Sequence, residues 1–175
     1  AYVSHNYLYP RSPGQRPTQQ QELKPFPKPI TYAMFIRHVA NEDSRVTREL
    51  KAGEPGHRQN YSLAAHFAQE QELPVRAILL AANRRLEANA REQRRIYGEW
   101  TEQYGPESRN LPPPPELQAA QKEQGTIVEQ TIDQLKQALG DDSFDKFDSW
   151  ITKHYGQGQI IGVPSSSRTQ IPTAH

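Results

Sequence analysis

Histidine is the residue in this sequence best suited to chemistry, because its imidazole binds metal ions and exchanges protons near neutral pH. The six histidines are His5, His38, His57, His66, His154 and His175. No two of them lie four residues apart and the chain has no cysteine, so neither an HExxH motif nor a Cys/His zinc spacing occurs. His38 and His66 fall beside apolar faces of predicted helices, where we expect partly buried, hydrogen-bonded side chains. The sequence therefore predicts no metal site and no cofactor.

The densest carboxylate cluster is a group of four aspartates within eight residues, which raises the question of a calcium site. They are Asp141, Asp142, Asp145 and Asp148. The EF-hand spacing and its closing glutamate are absent, and Phe144 and Phe147 interrupt the segment. A helix cap followed by a solvated helical face explains the cluster instead.

The motifs of common enzyme classes are absent from the sequence. It contains no GxSxG elbow, no glycine-rich phosphate loop and no dinucleotide fingerprint. It has no cysteine nucleophile, and the serines at 165–167 stand in a tail whose only histidine is His175. The abundance of Asp and Glu leaves a carboxylate-pair hydrolase open, but no spacing favours one. We therefore predict that the protein is not an enzyme.

Arginines concentrate between residues 76 and 95 and form the best candidate surface for an acidic partner. They are Arg76, Arg84, Arg85, Arg91, Arg94 and Arg95. Glu87, Glu92 and Glu99 are interleaved with them, so we expect charge pairing within the chain or between subunits. The whole chain has 21 basic and 20 acidic residues and a formal net charge of +1. This balance predicts no strong attraction to nucleic acid or to a membrane surface.

The elements that must position these residues are predicted to be helices. Apolar side chains recur every three or four residues over 31–50, 62–70, 74–104 and 116–139, and again after 141–143 up to residue 155. Ser62 and the segment 141–143 are the predicted caps of the second and the last helix. The prolines at 112–115 form a stiff spacer that lets the chain turn back. The fold class is thus all-α, a four- or five-helix bundle built on a long antiparallel helix pair, with Trp100 and Trp150 both buried.

Composition divides the 175 residues into one helical domain and two tails. Residues 31–155 hold most of the apolar side chains, whereas 1–30 and 156–175 are rich in Pro, Gly, Gln and Ser. We predict an extended, Pro-rich N-terminal arm, a helical domain and an extended C-terminal tail. Apolar residues make up 34% of the chain, and no run approaches the roughly 20 that a membrane-spanning helix needs.

The two tails are the predicted binding segments. The predicted partner-binding residues are Tyr2, Tyr7, Tyr9, Phe26, Ile160, Ile161 and Val163. Tyrosines bury a large area at low entropy cost, and prolines reduce the flexibility that a segment loses on docking. The expected partner is the chain itself, in a homo-oligomer or filament, or another protein subunit.

The beginning of the chain bears on its location. Removal of an initiator methionine could leave Ala1 at the start. Cleavage by signal peptidase, which cuts after small residues, would leave the same Ala1-Tyr2-Val3. Over about residues 32–155 the sequence resembles uncharacterised, all-helical, exported bacterial proteins of acidobacterial type, through FIRHV at 35–39, LPPPPEL at 111–117 and LGDDSFDKFD at 139–148. The resemblance implies an all-helical exported domain and brings no known activity. We expect a periplasmic or extracellular protein.

These features together predict a structural or interaction subunit of an exported assembly that uses its terminal arms to contact neighbours. The alternative is a monomeric exported domain that binds a ligand or acts like a chaperone. Its groove would be lined by the aromatic residues Trp100, Tyr104, Phe144, Phe147 and Trp150.

Overall fold

The computed structural model describes residues 25–157, and within them the protein is an all-α bundle. Its five helices are α1 (Lys28–Lys51), α2 (Tyr61–Ala65), α3 (Glu72–Tyr104), α4 (Pro115–Leu139) and α5 (Asp141–Tyr155). Short 3₁₀ turns precede and follow α3, at Gln69–Gln71 and Gly105–Asn110. The predicted fold class is confirmed. Six predicted binding residues lie outside the described range: Tyr2, Tyr7, Tyr9, Ile160, Ile161 and Val163.

The longest elements, α3 and α4, form the predicted antiparallel pair. Just before α3, the Gln71 side chain donates a 3.0 Å hydrogen bond to the carbonyl of Ala138, at the end of α4. Farther along, the Asn89 side chain donates to the carbonyl of Ala120 over 2.9 Å. The start of α3 therefore lies beside the end of α4. With 33 residues, α3 is about 50 Å long.

An aromatic core joins α1, α2 and α5 to this pair. Phe35 is fully buried at its centre, and its ring centroid lies 5.4 Å from that of Tyr61 and 5.7 Å from that of Phe147. Both contacts are edge-to-face, the arrangement that the quadrupoles of aromatic rings favour. Val75 and Leu79 contribute the buried face of α3 to the same cluster. The core thus occupies the half of the hairpin where α3 begins.

The second helix is shorter than predicted, and its cap is a different residue. Asn60, not Ser62, caps α2: its side-chain oxygen accepts a 3.1 Å hydrogen bond from the amide of Leu63. The helix ends at His66, whose φ of 60° is left-handed. This turn sends Phe67 into the core against Phe147, with ring centroids 5.4 Å apart, while Leu63 remains 75% exposed. The free energy gained by burying Phe67 therefore exceeds that of adding another turn to α2.

The start of α5 also differs from the predicted cap. No side chain caps this helix; Gly140, with φ 77°, ends α4 and begins α5 in a conformation that disfavours other residues. Asp141 and Asp142 lie in the first turn, where their negative charges interact favourably with the positive end of the helix dipole. Asp148 is not on a solvated face, because the Tyr32 hydroxyl donates a 2.6 Å hydrogen bond to it.

The two tryptophans lie in different parts of the molecule. Trp150 packs against the core beside Phe35 and Tyr61, but it is half-buried and not fully buried as predicted. Trp100 is also half-buried, but it lies near the far end of α3, away from α5, so the prediction for its surroundings is wrong. The cause is the length of α5. It begins directly after α4, at the end of the hairpin opposite Trp100, and its 15 residues extend only about 22 Å.

Candidate protein-interaction surface

A large recess lies at the tip of the hairpin, where the end of α3 faces the start of α4. It has a volume of about 780 Å³. We call it the hairpin trough; its apolar lining includes Ile96, Trp100, Tyr104, Leu111, Pro112 and Pro115. Every lining residue belongs to α3, α4 or the segment between them. The trough is therefore a property of the hairpin alone.

Aromatic rings follow one another along the last turns of α3. Trp100 and Tyr104 line the trough, and Tyr97 lines a neighbouring recess. The centroids of Tyr97 and Trp100 are 5.9 Å apart, and those of Trp100 and Tyr104 are 6.5 Å apart. Their spacing of three and four residues places them on one stripe of the helix. Tyr97, Tyr104 and Leu111 are 52%, 42% and 40% exposed. The hairpin tip therefore presents large apolar side chains to solvent.

The proline segment shapes the opposite side of the trough. Gly105 ends α3 with φ 54°, a value that glycine adopts without strain. After the 3₁₀ turn, Leu111 and Pro114 are extended, with ψ near 150°. The Gln118 side chain donates a 2.9 Å hydrogen bond to the carbonyl of Pro113 and ties the segment to α4. Prolines have few accessible conformations, so this side is stiff before anything binds.

Charges at the rim of the trough are paired with each other. The Arg95 guanidinium lies 2.5 Å from a carboxylate oxygen of Glu92 and 2.7 Å from one of Glu99. The hydrogen bond from Arg95 lowers the pKa of Glu92, and the same bond raises the pKa of Arg95. The predicted pairing of interleaved charges is confirmed for this arginine. For Arg84 and Arg91 it is wrong within residues 25–157, where neither forms a salt bridge. Because the rim charges pair with each other, the apolar lining is the feature of the trough that a partner can recognise.

The predicted five-residue aromatic groove does not form. Trp100 and Tyr104 line the hairpin trough, whereas Phe144 and Phe147 are buried in the core and Trp150 packs on it. The two groups are separated along the hairpin, because α5 is too short to reach its tip. Phe26, a predicted binding residue within the described range, is half-buried, and its amide donates to the carbonyl of Gly156.

A buried ionic cluster, which sequence reasoning missed, joins α1, α2 and α3. The Arg76 guanidinium donates to Glu42 over 2.9 Å, to the Gln59 carbonyl over 2.8 Å and to Glu72 over 3.2 Å. It also stacks on the Tyr61 ring, 5.0 Å from its centroid. Burial opposes the charge of Arg76, but the hydrogen bond and charge of Glu42 raise its pKa. The only sequence signal was the spacing of Glu72 and Arg76, four residues apart.

The carboxylates of this cluster also accept hydrogen bonds from the backbone. The Glu72 carboxylate accepts hydrogen bonds from the amides of Tyr61 and Ser62, at 3.2 and 2.7 Å, and so fixes the start of α2. Glu42 accepts a 3.0 Å bond from the amide of Gln59. With its acceptors occupied, the cluster holds elements together, and we assign it no chemistry.

The histidines within the described range are surface residues. His38 and His66 are exposed, so the expectation that they are partly buried is wrong. His66 ends α2 in its left-handed turn, and His38 lies beside the Tyr155 ring. His154 stacks on Trp150 with ring centroids 4.5 Å apart. Among residues 25–157, no three His, Asp or Glu side chains converge as metal ligands would.

Comparison with protein-family models, with curated proteins and with solved structures finds no match to this chain. The resemblance to exported bacterial proteins therefore stays a prediction. None of the helices in residues 25–157 combines the length and hydrophobicity of a bilayer span.

Proposed function

We propose that the protein is a structural subunit of an exported homo-oligomer or filament. In this assembly the hairpin trough of one copy binds the N-terminal segment of the next. The observation that carries the proposal is the exposure of Tyr104 and Leu111 in the lining of a stiff, apolar recess. A contiguous apolar patch on a protein surface commonly marks an interaction site. Tyr and Trp are also the residues that most often dominate binding energy at interfaces.

The stiffness of the trough favours affinity. One side is a run of prolines held to α4 by Gln118, and the opposite side is the helix α3. Little conformational freedom remains to be lost on that side when a partner docks. The volume of about 780 Å³ accommodates a few side chains of an extended peptide.

The N-terminal segment has the composition that such a trough recognises. It contains Tyr7-Leu8-Tyr9-Pro10, followed by prolines at 13 and 17. Extended, proline-containing segments are recurrent ligands of aromatic-lined grooves. The 24 residues before the described range can span about 80 Å when extended. That length exceeds the roughly 50 Å of α3, so the segment can reach another copy.

The position of the trough favours a second copy as the source of that segment. No residue of α1, α2 or α5 lines it, so the tip of the hairpin is free of the rest of the described bundle. Each copy carries one arm and one trough. A head-to-tail contact of this kind continues into a filament unless its rotation closes a ring.

The role of the trough in assembly can be tested by comparing two exposed leucines. Leu111 lies in the trough, after the end of α3, and Leu73 lies near the start of α3, outside it. Leu111→Ser combined with Tyr104→Ser removes apolar surface from the trough. Leu73→Ser, at a side chain that is 74% exposed near the start of α3, is the matched control. In sedimentation velocity at increasing concentration, we expect the full chain and the control to associate and the double variant to stay monomeric. Circular dichroism should show the same helix content for all three proteins.

A synthetic peptide of residues 1–24 identifies the occupant. We expect the peptide to dissociate the assembly, and a version with Tyr7→Ser and Tyr9→Ser to have no such effect. A full chain that is monomeric at every concentration would contradict the proposal. A monomer in which Trp100 fluorescence, measured in a Trp150→Phe variant, changes with a small apolar ligand would favour the alternative, a ligand-binding domain.

A further inference from the structure

A second, polar recess lies between α1, α3 and α4, on the part of α3 nearer the core. Its volume is about 490 Å³. Three arginines line it: Arg37 from α1, and Arg91 and Arg94 from α3. We call it the arginine cleft. Ala33 and Ala90, which also line it, are small, so space remains between the long side chains.

Within the described part of the chain, the arginines of this cleft lack the carboxylate partners that two other arginines of α3, Arg76 and Arg95, have. Arg76 and Arg95 each contact two carboxylates. Within residues 25–157, no salt bridge involves Arg37, Arg91 or Arg94. Arg91 and Arg94 are one helical turn apart, where like charges repel. The cleft therefore concentrates positive charge that the described part of the fold does not neutralise.

One carboxylate, from Glu87, also lines the cleft. It accepts a 3.1 Å hydrogen bond from the side chain of Asn83, which is 9% exposed and forms part of the lining. Three guanidinium groups and one carboxylate give the lining a formal charge of +2. That charge, in a recess bounded by three helices, matches an anion carrying at least two negative charges.

We propose that the arginine cleft binds a small phosphate-class anion, such as a pyrophosphate or a phosphate monoester. Guanidinium groups remain charged at all relevant pH values, and their planar forks bind phosphate oxygens through paired hydrogen bonds. Arginines from two different helices approach the anion from different sides. The ligand is small, because the recess between α1, α3 and α4 has a volume of only about 490 Å³. This site is independent of the hairpin trough and of self-assembly.

Calorimetric titration of the full chain with inorganic pyrophosphate at low ionic strength tests the proposal. We expect saturable binding with one site per chain. Arg91→Gln combined with Arg94→Gln should weaken it at least about tenfold, since each charge-assisted hydrogen bond contributes on that scale. Arg37→Gln alone tests the contribution of α1 and stands in if the double variant does not fold. Arg109→Gln, which changes an exposed arginine outside the cleft, should bind within about twofold of the parent.

Further measurements distinguish a specific anion site from non-specific attraction between the anion and positive charge. Arg91→Lys keeps the charge but loses the planar fork, and we expect it to bind pyrophosphate more weakly than the parent. Absence of binding to the parent, or equal loss in Arg109→Gln, would overturn the proposal. So would a single-stranded oligonucleotide that binds more tightly than pyrophosphate through the same three arginines, because the site would then serve nucleic acid.

Discussion

The backbone amide of Phe26 donates a 2.9 Å hydrogen bond to the carbonyl oxygen of Gly156. This bond joins the first and last segments of the described chain, so residues 25 and 157 lie at the same place on the bundle. The Tyr32 hydroxyl strengthens the closure between α1 and α5 through its 2.6 Å bond to Asp148. Lys28 adds an ion pair to the same carboxylate, at 3.1 Å. The helical domain is thus fastened where its two terminal segments begin.

We predict that Gly156→Ala destabilises this closure. A methyl group at position 156 would lie 2.5 Å from the backbone carbonyl oxygen of Thr152, which cannot move aside freely. Overpacking of this kind costs about 1–3 kcal/mol in the free energy of unfolding, measured by urea denaturation.

Gly125→Ala is the control, because nothing lies within 4 Å of its added methyl group. In the middle of α4 it should raise stability by about 0.5–1 kcal/mol. Equal stability of both variants would contradict the prediction.

We predict a large stability loss when Arg76 is replaced by Ala. Its side chain is 6% exposed, and removal leaves the carboxylates of Glu42 and Glu72 buried without their cation. Breaking a buried pair from one side costs about 3–5 kcal/mol, measured as the free energy of unfolding in urea. Arg95→Ala, also in contact with two carboxylates but on the surface, should leave the unfolding midpoint nearly unchanged. Similar midpoints for the two variants would show that the buried cluster contributes little.

We predict alkaline unfolding driven by buried tyrosines. Burial, followed by the hydrogen bond to Asp148, raises the pKa of Tyr32; burial and the charge of Glu42 raise those of Tyr61 and Tyr155. The unfolded chain ionises near pH 10, so the folded state keeps protons that the unfolded state loses. Stability should therefore be full below about pH 10 and fall as the pH rises above it.

Absorbance at the tyrosinate band and circular dichroism, recorded together during an alkaline titration, check this sign. Part of the tyrosinate signal should appear only as helix content is lost. The Tyr32→Phe variant removes one of the late-ionising groups and should show a shallower fall of stability above pH 10. A titration in which every tyrosine ionises before any helix melts would be inconsistent with the burial of Tyr32.

The sequence was sufficient to predict the long helices, because their signals are local. Apolar spacing and the flanking Gly and Pro residues place α3 at 74–104 and α4 at 116–139, within two residues of Glu72–Tyr104 and Pro115–Leu139. The proline segment between them predicts their antiparallel return. Each of these signals acts through the backbone conformation of a few neighbouring residues.

The tertiary structure alone decided which side chains meet. Glu42 and Arg76 are 34 residues apart, and nothing in either local pattern indicates that they share a buried cluster. The two tryptophans have similar helical surroundings in sequence, yet the short α5 places Trp150 on the core and leaves Trp100 at the hairpin tip. His66 turns left-handed because Phe67 gains burial. The sequence determined the helices through local propensity, whereas competition among distant side chains for one core determined the sites.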